Sequence, residues 1–229
     1  MREIVLDTET TGLDPDQGHK IVEIGCVELV NHMPTGRTFQ EYLNPERQMD
    51  DEVIAVHGIT NEFLKNKPKF KEIAEKFMNF IGSDSKLVIH NATFDMKFLN
   101  AELSAAGFEK LSFDRVIDTL IMARQKFPGS RVNLNELCKR FNVDASRRTV
   151  HGALLDSELL AEVYLELIGG REPGLVLNSK VTSSKSTEQV QKTIEHIFHE
   201  PRFFPVSDEE LAAHQEFMKK IPDNLWGEQ

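Results

Sequence analysis

Two carboxylates one residue apart, Asp7 and Glu9, close the apolar run Ile4-Val5-Leu6 near the start of this 229-residue chain. The run reads as a strand buried on both faces, and side chains two apart on a strand point the same way. Asp7 and Glu9 therefore face one side together. Held that close, two anions repel each other and resist leaving water, a cost that a cation between them removes. Hard divalent ions such as Mg²⁺ and Mn²⁺ suit carboxylate oxygen. The plainer alternative is a strand that runs out into a solvated acidic turn, because a two-residue pattern is weak evidence by itself.

Two further carboxylates repeat the oddity on helices. Asp95 shares a helical stripe with Leu99, Leu103 and Ala106, and Asp156 shares one with Leu160, Val163 and Leu167. A carboxylate on a core-facing stripe is expensive unless something pairs with it, although an aspartate in a first helical turn also gains from the helix dipole. His151, just before Asp156, would point about 140° away from it on a continuous helix of ~3.6 residues per turn. It reaches the same pocket only from a loop, which Gly152 permits. Four inward-facing carboxylates and a histidine make metal-dependent hydrolysis the economical explanation, since two divalent ions about 3.5 to 4 Å apart share several carboxylates.

An α/β arrangement has to position these residues. Residues 20–30 and 38–43 read as the second and third strands of an antiparallel meander, with a turn at 31–36. Residues 50–59 read as a short helix capped by Asp50 or Asp51 and stopped by Gly58. Spacing alone leaves His57 there as a surface histidine. Phe70, Ile73, Ala74, Phe77 and Phe80 or Ile81 predict a core-facing helix over 70–81, and a strand at 86–90 then makes a βαβ crossover. The next helix opens around Asp95, with Asn91 or Thr93 placed to cap it. Residues 115–118 read as a strand, 119–125 and 133–141 as short helices, and 152–168 as the last long helix. Asp118 reads as a helix cap or structural hydrogen-bond acceptor. Arg147 and Arg148 read as a solvated basic turn in preference to a phosphate contact.

Composition narrows the functional classes. Hydrophobic residues at 40% and charged residues at 28% are ordinary for a globular protein, and the length suits one sizeable domain with an appendage. No apolar run approaches the ~18 to 20 residues of a membrane span, and the first residues form a strand in place of a leader, so the expectation is a cytoplasmic protein without membrane contact. A net charge of -10 argues against gripping nucleic acid with the whole surface. It does not exclude a nuclease, because bound divalent ions bring positive charge to the site and a protein held on DNA by a partner needs little grip. Cys26 and Cys138, without a C-x-x-C spacing, read as core thiols.

Three motifs in order, Asp7-x-Glu9, His90-Asn91-x-x-Phe94-Asp95 and His151-Gly152-Ala153-x-x-Asp156, resemble those of the DEDDh group of 3'-5' exonucleases, the DnaQ-like branch of the ribonuclease H-like superfamily. The resemblance implies a ribonuclease H-like α/β fold with a mixed five-stranded sheet flanked by helices. It also implies two divalent cations, Mg²⁺ or Mn²⁺, with Asp7, Glu9 and Asp156 holding the tighter one, Asp95 completing the site for the second, and His151 as general base. The implied substrate is a DNA 3' end, from which nucleoside 5'-monophosphates are released. Asp7, Glu9 and Asp156 would also meet that substrate. The resemblance further puts Glu52 and His57 in a nucleotide pocket, which outweighs the surface reading of His57, and sets Phe94, Thr10 and the backbone up to Leu13 beside the terminal base and sugar.

The resemblance is carried on by the tail, where Ser207-Asp208-Glu209-Glu210-Leu211-Ala212-Ala213-His214 and Leu225-Trp226 look like the tail of members that proofread for a replicative polymerase. It implies the polymerase III alpha subunit as the partner. The expected division is a catalytic domain at 1–170, a flexible linker at 171–191, and a partner-binding tail at 192–229. Phe198, Phe203, Phe204, Leu211, Phe217, Leu225 and Trp226 are too few to build a separate core and suggest folding on a partner. The family often places a glutamine-led clamp-binding motif after the last helix. Arg171-Glu172-Pro173-Gly174-Leu175-Val176-Leu177 stands there instead, so the sequence does not support a sliding-clamp contact, and it is silent on a small accessory subunit. Two other readings stay open. A stand-alone RNA exonuclease of the ribonuclease T kind is opposed by the tail, and a non-catalytic replisome scaffold has no need of buried unpaired carboxylates.

Overall fold

The apolar runs that flank Asp7 and Glu9 become the middle of a mixed sheet. In the computed structural model, which describes residues 1–148, 150–170 and 206–220, the strands are β1 (Arg2–Thr10), β2 (Ile21–Val30), β3 (Met33–Tyr42), β4 (Lys86–Ile89) and β5 (Val116–Asp118). They lie in the order β3-β2-β1-β4-β5. β1 pairs antiparallel with β2, and β2 with β3, whereas β4 runs parallel to both β1 and β5. The meander and the crossover are both present. Strand β3 starts at Met33, earlier than expected, because Asn31 and His32 alone make the reversal, with φ of 51° and 66°. Pro34 is tolerated because β3 is an edge strand and the ladder is irregular beside it.

Helices α1 (Asp51–His57), α2 (Asn61–Leu64), α3 (Phe70–Ile81), α4 (Ala92–Ala106), α5 (Thr119–Lys126), α6 (Leu134–Phe141) and α7 (Ala153–Leu167) cover the sheet. Alternation along β1 sends Ile4 and Leu6 to one layer, where they meet Phe77 of α3 and Leu99 and Leu103 of α4. Val5 goes to the other, against Leu160, Ala161 and Tyr164 of α7. Ile4, Val5 and Leu6 have no exposed surface, and burial of each such side chain contributes roughly 1.5 to 3 kcal/mol. Leu159, Val163 and Leu167 of α7 pack against Leu137 and Cys138 of α6 and Ala123 of α5. Cys26 and Cys138 are buried free thiols, as expected. No helix among the described residues is long and apolar enough to cross a membrane.

One glycine sets how closely α7 approaches the sheet. A Cβ on Gly25 of β2 would lie 2.2 Å from the backbone of Ala153 and Leu154, so only a residue without a side chain admits the first turn of α7. Ser157 Oγ then donates to Gly25 O at 3.0 Å. Gly25 pairs with Asp7 across the ladder, and directly opposed residues share a sheet face. The start of α7 is thereby set over Asp7.

The chain divides into two compact units, Met1–Leu177 and Asn178–Gln229. In the second, α8 (Asp208–Met218) is opened by a capping box: Glu210 N donates to Ser207 Oγ at 3.3 Å, and Ser207 N donates to Glu210 Oε2 at 3.0 Å. Leu211 and Phe217 on this helix are exposed. The 171–191 linker, together with Phe198, Phe203, Phe204, Leu225 and Trp226, lies outside the described residues.

Candidate active site

The functional side chains come from three places. Asp7 and Glu9 sit at the carboxyl end of β1, where Glu9 pairs with Glu23 and the register slips between Glu9 and Thr10. Such a bulge ends the ladder and re-aims the backbone beside it. Asp95 arrives from the opposite layer. The chain leaves β4 through Asn91, which holds a left-handed φ of 67° and makes no side-chain cap. Thr93 lies inside the helix, so neither residue caps as expected. Asp118 does so instead: its carboxylate accepts from Asn91 N at 3.3 Å and Ala92 N at 3.0 Å, and also from Leu120 N at 2.8 Å and Ile121 N at 3.3 Å. One side chain caps both α4 and α5, which bears out its structural reading. The first turn of α4 then brings Asp95 to Thr8, whose backbone N and Oγ1 donate to Asp95 Oδ1 at 3.1 and 2.7 Å.

Asp156 comes from the start of α7. Gly152 at the N-cap has no side chain to offer, and Glu23 of β2 supplies the missing acceptor, taking a hydrogen bond from Ala153 N at 3.1 Å. His151 lies in the loop before α7, as the helical geometry required, and its backbone N donates to Val56 O at 3.1 Å. The carboxylates and His151 line one cleft of about 450 Å³, together with Phe94, Asn91, Asn133, Leu134 and Arg148. Glu9, His151 and Asp156 offer ligand atoms that all lie within 4.8 Å of one another.

Crowding of anions away from water shows in their proton affinities. Burial, then the Asp95, Glu9 and Asp156 carboxylates, push Asp7 well above the usual carboxylate range. Burial, then Asp156, Glu23 and Asp95, push Glu9 up to about 8. Asp95 rises to about 7, mainly through burial, against the lowering pull of the Thr8 hydrogen bonds. Asp156 is the exception: burial raises it, but Arg148 and His151 outweigh that and hold it below the ordinary value.

Arg148 is the correction to the reading of a solvated basic turn. Its side chain is only 7% exposed and forms a two-pronged ion pair with Asp156, Nε to Oδ1 at 2.5 Å and Nη2 to Oδ2 at 2.6 Å. Arg147 does stay exposed, 3.5 Å from Glu158. Arg148 Nη2 is also 2.9 Å from His151 Nδ1, closer than the 3.4 Å between that nitrogen and Asp156. His151 Nδ1 thus lies between a donor, the Arg148 guanidinium, and an acceptor, the Asp156 carboxylate.

The remaining expected residues are spread around the cleft. Phe94 lines it and packs against Phe98, the ring centroids 5.0 Å apart and the planes tilted. Glu52 is exposed on α1, and neither it nor Thr10 or His57 lines the cleft. Thr10 is buried, and its Oγ1 donates to Gly12 O at 2.6 Å. His57 is 4% exposed, which overturns the surface reading. Its Nδ1 accepts from Ile59 N at 3.0 Å, while burial and then the nearby His151 depress its proton affinity.

The donor set fits hard divalent cations. Carboxylate oxygens converge at a cleft rather than on an open surface, with His151 at its rim, and burial and mutual repulsion raise the proton affinities of Asp7 and Glu9, a cost that a bound cation would relieve.

Comparison with known proteins agrees with this geometry. The family described as exonuclease, RNase_T, matches residues 4–164. A Rickettsia conorii protein named DNA polymerase III subunit epsilon is 54% identical over 228 residues, covering 96% of each chain. The Escherichia coli K12 protein of the same name is 44% identical over 224 residues, covering 93% of this chain and 90% of its own. Among solved structures, the nuclease domain of a 3'-exonuclease of the DEDDh family bound to rAMP has a TM-score of 0.61 at 23% identity, covering 73% of this chain and 91% of its own. Exonuclease X in complex with 5' overhanging duplex DNA has a TM-score of 0.56 at 24% identity, covering 72% and 90%. These two likenesses show the shared fold.

Proposed function

The chain belongs to the exonuclease family, and on that premise we propose that the acidic cleft at the end of β1 is where it trims DNA 3' ends. The protein is a 3'-5' exonuclease of the epsilon kind, a proofreading component of DNA polymerase III. Similarity to the epsilon subunits runs over 96% of the chain, tail included, which disfavours both a stand-alone RNA exonuclease and a scaffold. The observation that carries the assignment of the site is the meeting of Asp7, Glu9, Asp95, Asp156 and His151, drawn from two layers, in one cleft.

Asp7, Glu9 and Asp156 would hold one divalent cation, and Asp95, with one oxygen already fixed by Thr8, would complete the site for a second. Mg²⁺ and Mn²⁺ both suit this donor set. When bound, the cations supply Lewis acidity, neutralising the phosphate and making water acidic enough to attack near neutral pH. His151, at the rim of the cleft, would accept the proton from the attacking water. Water adds to the terminal phosphorus in line, the 3' oxygen of the preceding nucleotide leaves and takes up a proton, and a nucleoside 5'-monophosphate is released. Phe94 offers an apolar face to the terminal base, with the backbone from Thr10 to Leu13 beside its sugar. Glu52 and His57 would act from the rim, His57 beside Val56, whose carbonyl holds the His151 loop.

The tail would seat the exonuclease on the polymerase III alpha subunit in the cytoplasm, with exposed Leu211 and Phe217 of α8 as part of the contact. The test of the site uses the full chain on matched and mismatched DNA and RNA 3' ends with Mg²⁺, Mn²⁺ or chelator. Digestion should require the cation, Asp7→Ala should abolish it, and His151→Ala should lower turnover by about 10² to 10⁴-fold while Mn²⁺ affinity changes little. Chelator-resistant digestion, or a fully active Asp7→Ala protein, would refute the assignment.

A further inference from the structure

Arg148 is a fixed cation inside the acidic cleft. Its two-pronged hold takes both oxygens of Asp156, and Nη1 donates to Asn135 Oδ1 at 2.6 Å. The Nη2 that binds Asp156 Oδ2 also lies 2.9 Å from His151 Nδ1. A guanidinium stays protonated at any physiological pH and cannot relieve a clash by losing its charge. Asp156 is also one of the proposed cation ligands, and a guanidinium held at hydrogen-bond distance from it would stand beside a divalent ion where both side chains are nearly buried. Like charges that close repel strongly where screening is weak.

Resting on the metal-site reading above, we propose that Arg148 is an exchangeable counter-ion: its guanidinium and a divalent cation occupy Asp156 alternately, so that Arg148 sets how readily the site loads. Without the cation, Arg148 occupies both oxygens of Asp156 and lies against His151. On loading, the guanidinium leaves Asp156. Asn135, on α6 at the edge of the cleft, keeps it at the rim, where its charge faces an arriving phosphodiester. Arg148 is a positioning residue that acts through Asp156 and His151. The arrangement also gives a reason for a buried basic residue in a cleft whose job is to collect cations. A permanent ion pair with Asp156 would forfeit the ligand, whereas a mobile one protects the cluster from its own repulsion until the cation arrives.

The test is side-chain NMR of the ¹⁵N-arginine-labelled full chain during a Mg²⁺ titration, with the Arg148 Nε–H signal assigned by its loss in Arg148→Lys, and calorimetry run in parallel. The expected result is a slowly exchanging Arg148 Nε–H in chelator that shifts and loses its protection from solvent as Mg²⁺ binds. Arg148→Met should bind Mn²⁺ about tenfold more tightly or better, the equivalent of one charge-assisted hydrogen bond no longer competing. If calorimetry shows Mg²⁺ binding that Asp7→Asn abolishes, yet the Arg148 signal stays protected, or if Arg148→Met binds Mn²⁺ no more tightly than the parent, exchange is overturned while the metal site stands. If no Mg²⁺ binds at all, both fall.

Discussion

Replacing Glu9 by glutamine should stabilise the chelator-treated protein while destroying its activity. Burial is the largest cause of the raised proton affinity of Glu9, followed by Asp156, Glu23 and Asp95, with Arg148 opposing, and together they move it from 4.5 to about 8. The unfolded chain releases this proton near pH 4.5 and the folded chain only near pH 8. Between the two, the folded state binds more protons than the unfolded, so stability falls as pH rises. The contribution is complete below the unfolded value and lost by the time pH has passed the folded one. At ~1.4 kcal/mol per pH unit, the ceiling is ~5 kcal/mol across the window and ~3 kcal/mol by pH 7. Glutamine keeps the shape of the side chain and has no proton to lose. In EDTA the two proteins should therefore melt together near pH 4.5 and diverge above it, with Glu9→Gln ahead by roughly 6 to 12 °C at pH 7 for a chain of this size. Saturating Mg²⁺ should reverse the order, because only the parent keeps the full set of acidic ligands. The assay is thermal unfolding across pH 4.5 to 8.5 in EDTA and in Mg²⁺. Parallel curves in EDTA, or a variant less stable at every pH, would show that Glu9 is not held in a repulsive, dry setting.

Other perturbations probe the scaffold. Gly25→Ala places a Cβ 2.2 Å from the first turn of α7, and as neither backbone can yield cheaply, a loss of about 1 to 3 kcal/mol in urea unfolding is expected, with nuclease activity falling further as Asp156 shifts; normal activity would mean that the approach of α7 is not critical. Asp118→Ala strands four backbone donors at the starts of α4 and α5 and should cost about 2 to 4 kcal/mol; a change below half a kcal/mol by the same measurement would show that water replaces the carboxylate without loss. Ending the chain at residue 170 should leave digestion of single strands intact and abolish co-purification with the polymerase III alpha subunit. Retained association would move the contact onto the catalytic domain.

Much of the site could be read from one dimension, because periodicity is a local property. The alternation around Ile4-Val5-Leu6 and the stripes that place Asp95 with Leu99 and Asp156 with Leu160 follow from ~2 residues per strand repeat and ~3.6 per helical turn. The requirement that His151 stand in a loop followed from the same arithmetic, and the motif resemblance then supplied the chemistry. What needed the tertiary structure were contacts between distant parts of the chain. That Asp118 caps α4 depends on β5 lying beside β4, and a capping side chain from another strand has no signature near the helix it serves. Gly25 matters only because α7 lies 2.2 Å from where its side chain would be. Glu23 caps α7 from β2 because both meet over the same face of the sheet. Arg148 looked like a surface charge because two adjacent arginines in a polar loop usually are. The loop folds back over the cleft, and there the unpaired charge of Asp156 draws the guanidinium in. Sequence alone thus determined which carboxylates face inward, whereas the fold decided which groups meet them, since pairing across the chain depends on distances that no local pattern encodes.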